Sequence, residues 1–140
     1  MPSITRLDLR RIADEKIDDA RHLLAVGRFS NAYYLAGYAV EIGLKACIAR
    51  QFAADAIPDR RFVNDIHVHD LPKLVGLAGL GADLQSSRAS DPLFGANWTI
   101  VVEWSPEVRY RTVGGADARS MVAAIDVDAD GVLPWIRTRW

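Results

Sequence analysis

Two charged residues interrupt an otherwise apolar stretch of the chain and are the first candidates for chemistry. Glu41 and Lys45 lie one helical turn apart within residues 30–50, SNAYYLAGYAVEIGLKACIAR. Burying either charge alone would be expensive, so each needs a partner. Two interpretations remain open. The residues either form an i,i+4 ion pair, or they form a polar patch in a groove or at a dimer interface.

The triplet Arg109-Tyr110-Arg111 follows Trp104 in a segment that ends in two glycines. Arginine presents a planar fork of donors that fits phosphate, and a neighbouring aromatic ring can stack on a base. The same triplet can simply anchor a loop through cation–π contacts, and we favour this structural role. Phosphate binding is the functional alternative.

Two histidines and two aspartates lie close together in the chain at His67, His69, Asp65 and Asp70. These residue types can bind zinc, but no cysteine joins them, and two histidines in a polar loop are weak support for a metal site. We therefore predict no zinc site in this segment.

Residues 126–131, DVDADG, match the opening of a calcium-binding loop, in which alternate carboxylates surround the ion. The match then fails, because the twelfth position is Arg137 instead of glutamate and Pro134 lies inside the loop. We predict that these aspartates line a solvated helix face. No metal and no cofactor are expected.

The composition is that of an ordinary globular protein of 140 residues, for which one domain spanning residues 1–140 is expected. The formal net charge is −1, so contact with nucleic acid would need a local cluster of arginines. The N-terminal residues contain no apolar signal segment, and we expect a cytoplasmic protein. The single cysteine, Cys47, lies in the apolar stretch and is expected to be packed and inert.

The first half of the chain predicts two long antiparallel helices. Residues 5–26 have apolar side chains at helical spacing, and Thr5 with Asp8 has the form of a capping box. Gly27 suits a left-handed C-cap, and Ser30 is expected to cap the next helix. So short a connection predicts a helical hairpin.

The second helix is apolar on almost every side, which is typical of a helix buried in a core or a bilayer. Its two charges near the middle favour the core, because a charge at mid-membrane is costly. We therefore expect a central helix on which the others pack, and no membrane span.

The second half of the chain predicts shorter helices. Asp70 and Asp91 are expected to begin helices, residues 83–90 are ambiguous, and the β-branched residues 99–102 are assigned to a helix because no partner strand is evident. The last segment begins at Asp117 and is expected to kink near Gly131 and Pro134. The fold class is thus all-α, an up-and-down bundle of about five helices with a long antiparallel N-terminal pair.

The stretch ARHLLAVGRFSNAYYLAGYAVEIGLKACIA resembles the opening helical pair of HEPN domains. His69-Asp70-Leu71, with Leu74, is similar to a later segment of that family, and Trp104 with Arg109-Tyr110 is similar to another. The resemblance extends over about residues 10–136. It implies a helical bundle that is usually a dimer and is often encoded beside a minimal nucleotidyltransferase, as in toxin–antitoxin pairs.

Catalytic HEPN proteins are metal-independent ribonucleases that use an arginine followed a few residues later by a histidine. No histidine follows Arg109 or Arg111 in this chain. Arg61 and His67 have suitable spacing but fall between the second and third helices. Acid–base cleavage needs a group that exchanges protons near neutrality, so we predict no catalytic residues at the family's position.

The sequence therefore predicts a non-catalytic HEPN-like protein, a homodimer that binds a nucleotide, RNA or a partner such as a nucleotidyltransferase. The candidate binding residues are Lys45, His69, Arg109, Tyr110 and Arg111, with Glu41 and Lys45 as a polar pair. One alternative is a ribonuclease toxin built from Arg61 and His67, or from Arg109 and His69 across a dimer. Another is a structural dimer module without a small ligand.

Overall fold

The computed structural model describes residues 3–140, which contain helices and no strand. The α-helices are α1 (Arg6–Ala25), α2 (Phe29–Ala49), α3 (Arg60–Asp65), α4 (Leu71–Leu77), α5 (Gly81–Ser90), α6 (Pro92–Val101), α7 (Gly115–Asp126) and α8 (Val132–Arg137). A short 3-10 helix spans Pro106–Tyr110. The all-α class is confirmed. The expected number of about five helices is too low, because short helices form in segments that were assigned to loops or left ambiguous.

The first two helices form the predicted hairpin. Thr5 accepts a hydrogen bond from the Asp8 backbone N–H (3.1 Å), and the Asp8 carboxylate accepts one from the Thr5 N–H (3.0 Å), so the capping box is present. Gly27 adopts the left-handed conformation, with φ of 78°. The expectation for Ser30 was wrong, because Arg28 is the N-cap and the Ser30 hydroxyl instead accepts a bond from the Val113 N–H.

Helix α2 is the centre of the core. Thirteen of its residues are buried, and it contacts α1, α4, α7, α8 and the 3-10 helix. Two glycines allow close approach: the ring of Trp104 packs directly on Gly37, and Ile136 packs on Gly43. The buried apolar side chains form one contiguous cluster with members from α1, α2 and α4 to α8.

Aspartates begin three of the shorter helices. Asp59, Asp70 and Asp91 each accept hydrogen bonds from backbone N–H groups in the first turn of α3, α4 and α6. Asp70 and Asp91 were predicted in this role. Helix α6 continues to Val101, which confirms a helix where the local β-branched pattern alone would favour a strand.

The C-terminal segment is two helices rather than one kinked helix. Helix α7 ends at Asp126 and α8 begins at Val132, with Gly131 as its N-cap. A Cβ at Gly131 would lie 2.3 Å from the Val127 carbonyl oxygen, so this turn requires glycine. The break falls where the glycine and proline predicted a weak point.

Asp126 is the last residue of α7, whereas Asp128 and Asp130 lie in the turn that follows it. The expectation that these aspartates line a helix face was therefore wrong for Asp128 and Asp130. The Asp126 carboxylate accepts hydrogen bonds from the Arg21 guanidinium. A hydrogen bond with Asp91 raises the pKa of Asp130. Within residues 3–140, no group of three or more metal-binding side chains is assembled. None of the helices described above is long and apolar enough to cross a membrane.

Candidate functional site

The most unusual polar feature of the fold is a carboxylate buried in the middle of α2. Glu41 is 2 % exposed, although its neighbours on the helix are mostly apolar. Its Oε2 accepts a hydrogen bond from the Lys45 ammonium at 3.3 Å, and its Oε1 lies 2.9 Å from His69 Nδ1. We call Glu41, Lys45 and His69 the Glu41 cluster. Both carboxylate oxygens therefore have a hydrogen-bond partner, which is what a buried carboxylate requires.

Helix packing brings these three residues together. Glu41 and Lys45 are one turn apart on α2 and form the i,i+4 ion pair. This pair was one of the two alternatives that the sequence left open. His69 immediately precedes Asp70, the N-cap of α4. Leu71 and Leu74 of α4 are buried against the core, and this anchoring holds His69 beside α2.

The hydrogen bond to Glu41 determines how His69 can act. A carboxylate only accepts, so Nδ1 of His69 carries the hydrogen and Nε2 is left with a lone pair in the neutral ring. The His69 side chain is 54 % exposed, and Nε2 is the ring nitrogen not engaged by Glu41. A carboxylate that fixes the tautomer and orientation of an imidazole is a common arrangement for general acid–base chemistry.

His69 and Arg109 line the same cleft, which has a volume of about 450 Å³. The cleft lies between the start of α4 and the segment from the end of α6 to the 3-10 helix. Its other lining residues are Asp70, Leu71, Pro72, Val102, Glu103, Trp104, Ser105, Pro106 and Glu107. Arg109 can attract a phosphate here, whereas the carboxylates of Glu103 and Glu107 would repel one.

Arg109 lies against aromatic side chains at the edge of the cleft. Its guanidinium carbon is 4.9 Å from the centre of the Tyr110 ring, and Tyr110 is 74 % exposed. The side chains of Tyr110 and Tyr34 raise the pKa of Arg109, which therefore remains a cation. An exposed ring beside a cation can offer one surface to a base and one charge to a phosphate.

A larger groove lies next to the cleft, between α1, α2 and the residues that follow α3, and has a volume of about 700 Å³. Its polar lining residues are Lys16, Glu41, Lys45 and His67. Its other lining residues are Ile4, Leu9, Ile12, Tyr34, Leu35, Tyr38, Ile42, Ile48, Ala49, Phe52 and Ile66. Glu41 connects the two cavities, because Lys45 lines the groove and His69 lines the cleft.

The candidate binding residues are thus divided between different places. His69 and Arg109 share the cleft, Tyr110 contacts Arg109, and Lys45 is linked to His69 through Glu41. Arg111 lies in a separate cavity with Tyr33, Glu103 and Asp117. Of the alternative pair, His67 lines the groove, whereas Arg61 is exposed on α3.

Sequence reasoning missed Lys16, Tyr34 and Tyr38. The Lys16 ammonium is 6.0 Å from the centre of the Tyr38 ring, and the rings of Tyr34 and Tyr38 are 5.8 Å apart. A signal was present, because positions 34, 38, 41 and 45 follow the helical repeat and share one face of α2. Burial raises the pKa of Tyr38, and the charge of Glu41 raises it further.

Comparison with known families supports the interpretation of the first two helices. Residues 7–59 match the HEPN domain family. The resemblance to HEPN is confirmed. The HEPN match covers α1 from Leu7 onward and the whole of α2, including Glu41 and Lys45, and it ends before His69 and Arg109. No curated protein and no solved structure matches the chain.

Proposed function

We propose that this HEPN-like protein binds RNA or a nucleotide at the cleft lined by His69 and Arg109. The observation that carries the proposal is the convergence of these two residues, which are forty positions apart in the chain, on one cleft. Arg109 supplies a permanent positive charge for a phosphate, and Tyr110 supplies an exposed ring for a base. The match to the HEPN family supports a nucleotide- or RNA-binding helical protein.

The acidic side chains of the cleft limit how RNA can approach. Glu103 and Glu107 are exposed and line the cleft together with Arg109. We therefore expect a phosphate to contact the guanidinium of Arg109 beside the ring of Tyr110, with both carboxylates opposing its binding. With a net charge of −1 for the whole chain, we expect weak binding that falls with added salt.

Binding can be measured by fluorescence anisotropy with a labelled single-stranded RNA. Arg109→Met and Tyr110→Ala should each weaken binding, the second by about 1–3 kcal/mol if the ring stacks on a base. Arg88→Met is a matched control, because Arg88 is an arginine of α5 that does not line the cleft. Equal losses in Arg88→Met and Arg109→Met would contradict a localised site.

A metal-independent ribonuclease is the second candidate function, and the Glu41 cluster favours it. Glu41 orients His69 so that Nε2 can accept a proton, while Arg109 lies in the same cleft. In such a reaction, His69 would take the proton of an RNA 2′-hydroxyl as its oxygen forms a bond to the adjacent phosphorus. The bond from that phosphorus to the 5′-oxygen of the next nucleotide would break, and the departing oxygen would take a proton from the solvent. We prefer binding without cleavage to this second candidate, because the chain lacks the family's arrangement of a histidine after the arginine.

Cleavage assays with EDTA present distinguish the two candidates. If the protein cleaves RNA, His69→Ala should abolish the activity. Glu41→Gln should lower the rate and change its pH profile, because Glu41 positions His69 without touching RNA. If the wild-type protein binds RNA and does not cleave it under the same conditions, the ribonuclease function is rejected and the binding function is retained. The same result would exclude a toxin that acts through His69.

We also propose that the protein forms a homodimer and that a minimal nucleotidyltransferase is a candidate partner. Support for an interface comes from Leu7, which is 68 % exposed near the start of α1. Light scattering should give the mass of two chains, and Leu7→Glu should give the mass of one. Copurification with a nucleotidyltransferase encoded next to this gene would test the proposed complex with that enzyme.

A further inference from the structure

The groove between α1, α2 and the residues after α3 is separate from the cleft, and its lining differs in chemistry. Its volume of about 700 Å³ is within the range typical of small-molecule sites, which are largely apolar with a few placed polar groups. Apolar side chains such as Ile12, Ile42 and Phe52 line it together with the rings of Tyr34 and Tyr38.

The charges at the groove favour an anion. Lys16 and Lys45 both line it, and the one carboxylate on its surface is Glu41. Both oxygens of Glu41 already have partners in Lys45 and His69, so this carboxylate has little capacity left to bind a cation. Across residues 3–140, Lys16 forms no salt bridge.

The spacing of the two lysines defines the shape of a suitable ligand. Lys16 lies over Tyr38, and Tyr38 and Lys45 are two turns apart, about 10 Å along α2. Between them, the α2 side of the groove is formed by the apolar side chain of Ile42 and by Glu41, whose charge is already paired with Lys45. A ligand that fills the groove therefore needs an apolar body of similar length and an acidic group at an end.

We propose that the groove binds an amphiphilic organic anion, a molecule with an apolar body and a carboxylate, sulfonate or phosphate head. A second copy of this chain fits the groove less well. A two-fold interface through the groove would place the same surface on both subunits and enclose Lys16 and Lys45 of both copies in one interface. Like charges in such an interface are unfavourable.

Displacement of the dye 8-anilinonaphthalene-1-sulfonate by monomeric laurate tests the proposal. Laurate should displace the dye at about one molecule per chain and raise the melting temperature, because a ligand that binds the folded state stabilises it. Dodecyltrimethylammonium has a similar chain and the opposite charge, and it should bind about tenfold more weakly. Equal binding of the two amphiphiles, or a melting temperature lowered by laurate, would overturn the proposal.

Variants localise the binding. Lys16→Met should weaken laurate binding about two- to fivefold. Lys73→Met, which changes a lysine outside the groove, should have no effect. Ile12→Trp should fill the groove and abolish binding while the helical circular dichroism is retained. Equal effects of Lys16→Met and Lys73→Met, or full binding by Ile12→Trp, would place the ligand elsewhere and refute the site.

Two further measurements identify the occupant. Cosedimentation of the wild-type protein, but not of Ile12→Trp, with phosphatidylglycerol vesicles would assign a lipid as the source of the anion. Laurate binding without cosedimentation would assign a free acid, and either result supports the proposal. A two-chain species that excludes laurate and is dissociated by Ile12→Trp would refute it, because the groove would then be a contact between copies.

Discussion

The contact between Gly37 and Trp104 gives the sharpest prediction about stability. A Cβ added at Gly37 would lie 2.1–2.4 Å from three atoms of the Trp104 ring, far inside van der Waals contact. The ring has little freedom to move, because Trp104 is 3 % exposed and its Nε1 donates a hydrogen bond to the Tyr34 carbonyl at 3.1 Å. Gly37→Ala must therefore displace either the ring or α2.

The expected cost follows from these two possibilities. Overpacking a core costs about 1–3 kcal/mol, and losing a buried tryptophan entirely costs about 3–5 kcal/mol. We expect Gly37→Ala to lower the free energy of unfolding by about 3 kcal/mol, measured by urea denaturation followed by circular dichroism. Because Trp104 also lines the cleft, RNA binding should weaken in the same variant.

Gly76→Ala is the matched control. Gly76 lies in α4, and a Cβ added there would meet no atom within 4 Å. Alanine has the higher helix propensity, so this variant should be as stable as the wild type or more stable by up to about 1 kcal/mol. The double variant Gly37→Ala/Trp104→Ala should be only slightly less stable than Trp104→Ala alone, because the ring that the new methyl group would meet is absent. A Gly37→Ala protein within about 0.5 kcal/mol of the wild type would refute the packing described here.

Three further predictions concern single side chains. Burial raises the pKa of the Cys47 thiol to about 11, so iodoacetamide should label it at neutral pH only after unfolding, and rapid labelling of the folded protein would contradict this. Thr5→Ala should cost about 1 kcal/mol of unfolding free energy. The hydrogen bond from the Thr5 hydroxyl to the Asp8 carboxylate lowers the pKa of Asp8 from 3.8. The stability that this bond contributes should therefore be present above pH 3.8 and be lost as the pH falls through the lowered value, so the cost of Thr5→Ala should become smaller in acid, and a cost that stays constant would argue against this bond. Glu107→Gln should strengthen RNA binding in the anisotropy assay, because it removes a negative charge from the cleft, and weaker binding would place RNA elsewhere.

Local sequence signals predicted much of the helical framework. Thr5, Asp70 and Asp91 act as helix caps through bonds to residues two or three positions away, so their roles can be inferred from a short window of sequence. Ser30 has the residue type of a cap but not the position, because the left-handed turn at Gly27 makes Arg28 the N-cap. Helix boundaries of this kind depend on turn geometry that residue type alone does not determine.

The site depended on packing between distant segments and was less predictable. Glu41 and Lys45 could be paired from their spacing, but His69 is twenty-eight positions from Glu41 and reaches it through the docking of α4 on α2. The shared cleft of His69 and Arg109 likewise depends on where the segment after α6 lies. By contrast, the face of α2 formed by positions 34, 38, 41 and 45 follows directly from helical periodicity.

The most direct test of the proposed function compares RNA binding by the wild type, Arg109→Met, His69→Ala and Arg88→Met at two salt concentrations. We expect Arg109→Met to bind several-fold more weakly and to show a smaller dependence on salt, because one phosphate contact is lost. His69→Ala should also bind more weakly, and Arg88→Met should match the wild type. Identical affinities and salt dependences for all four proteins would contradict a phosphate-binding site at the cleft.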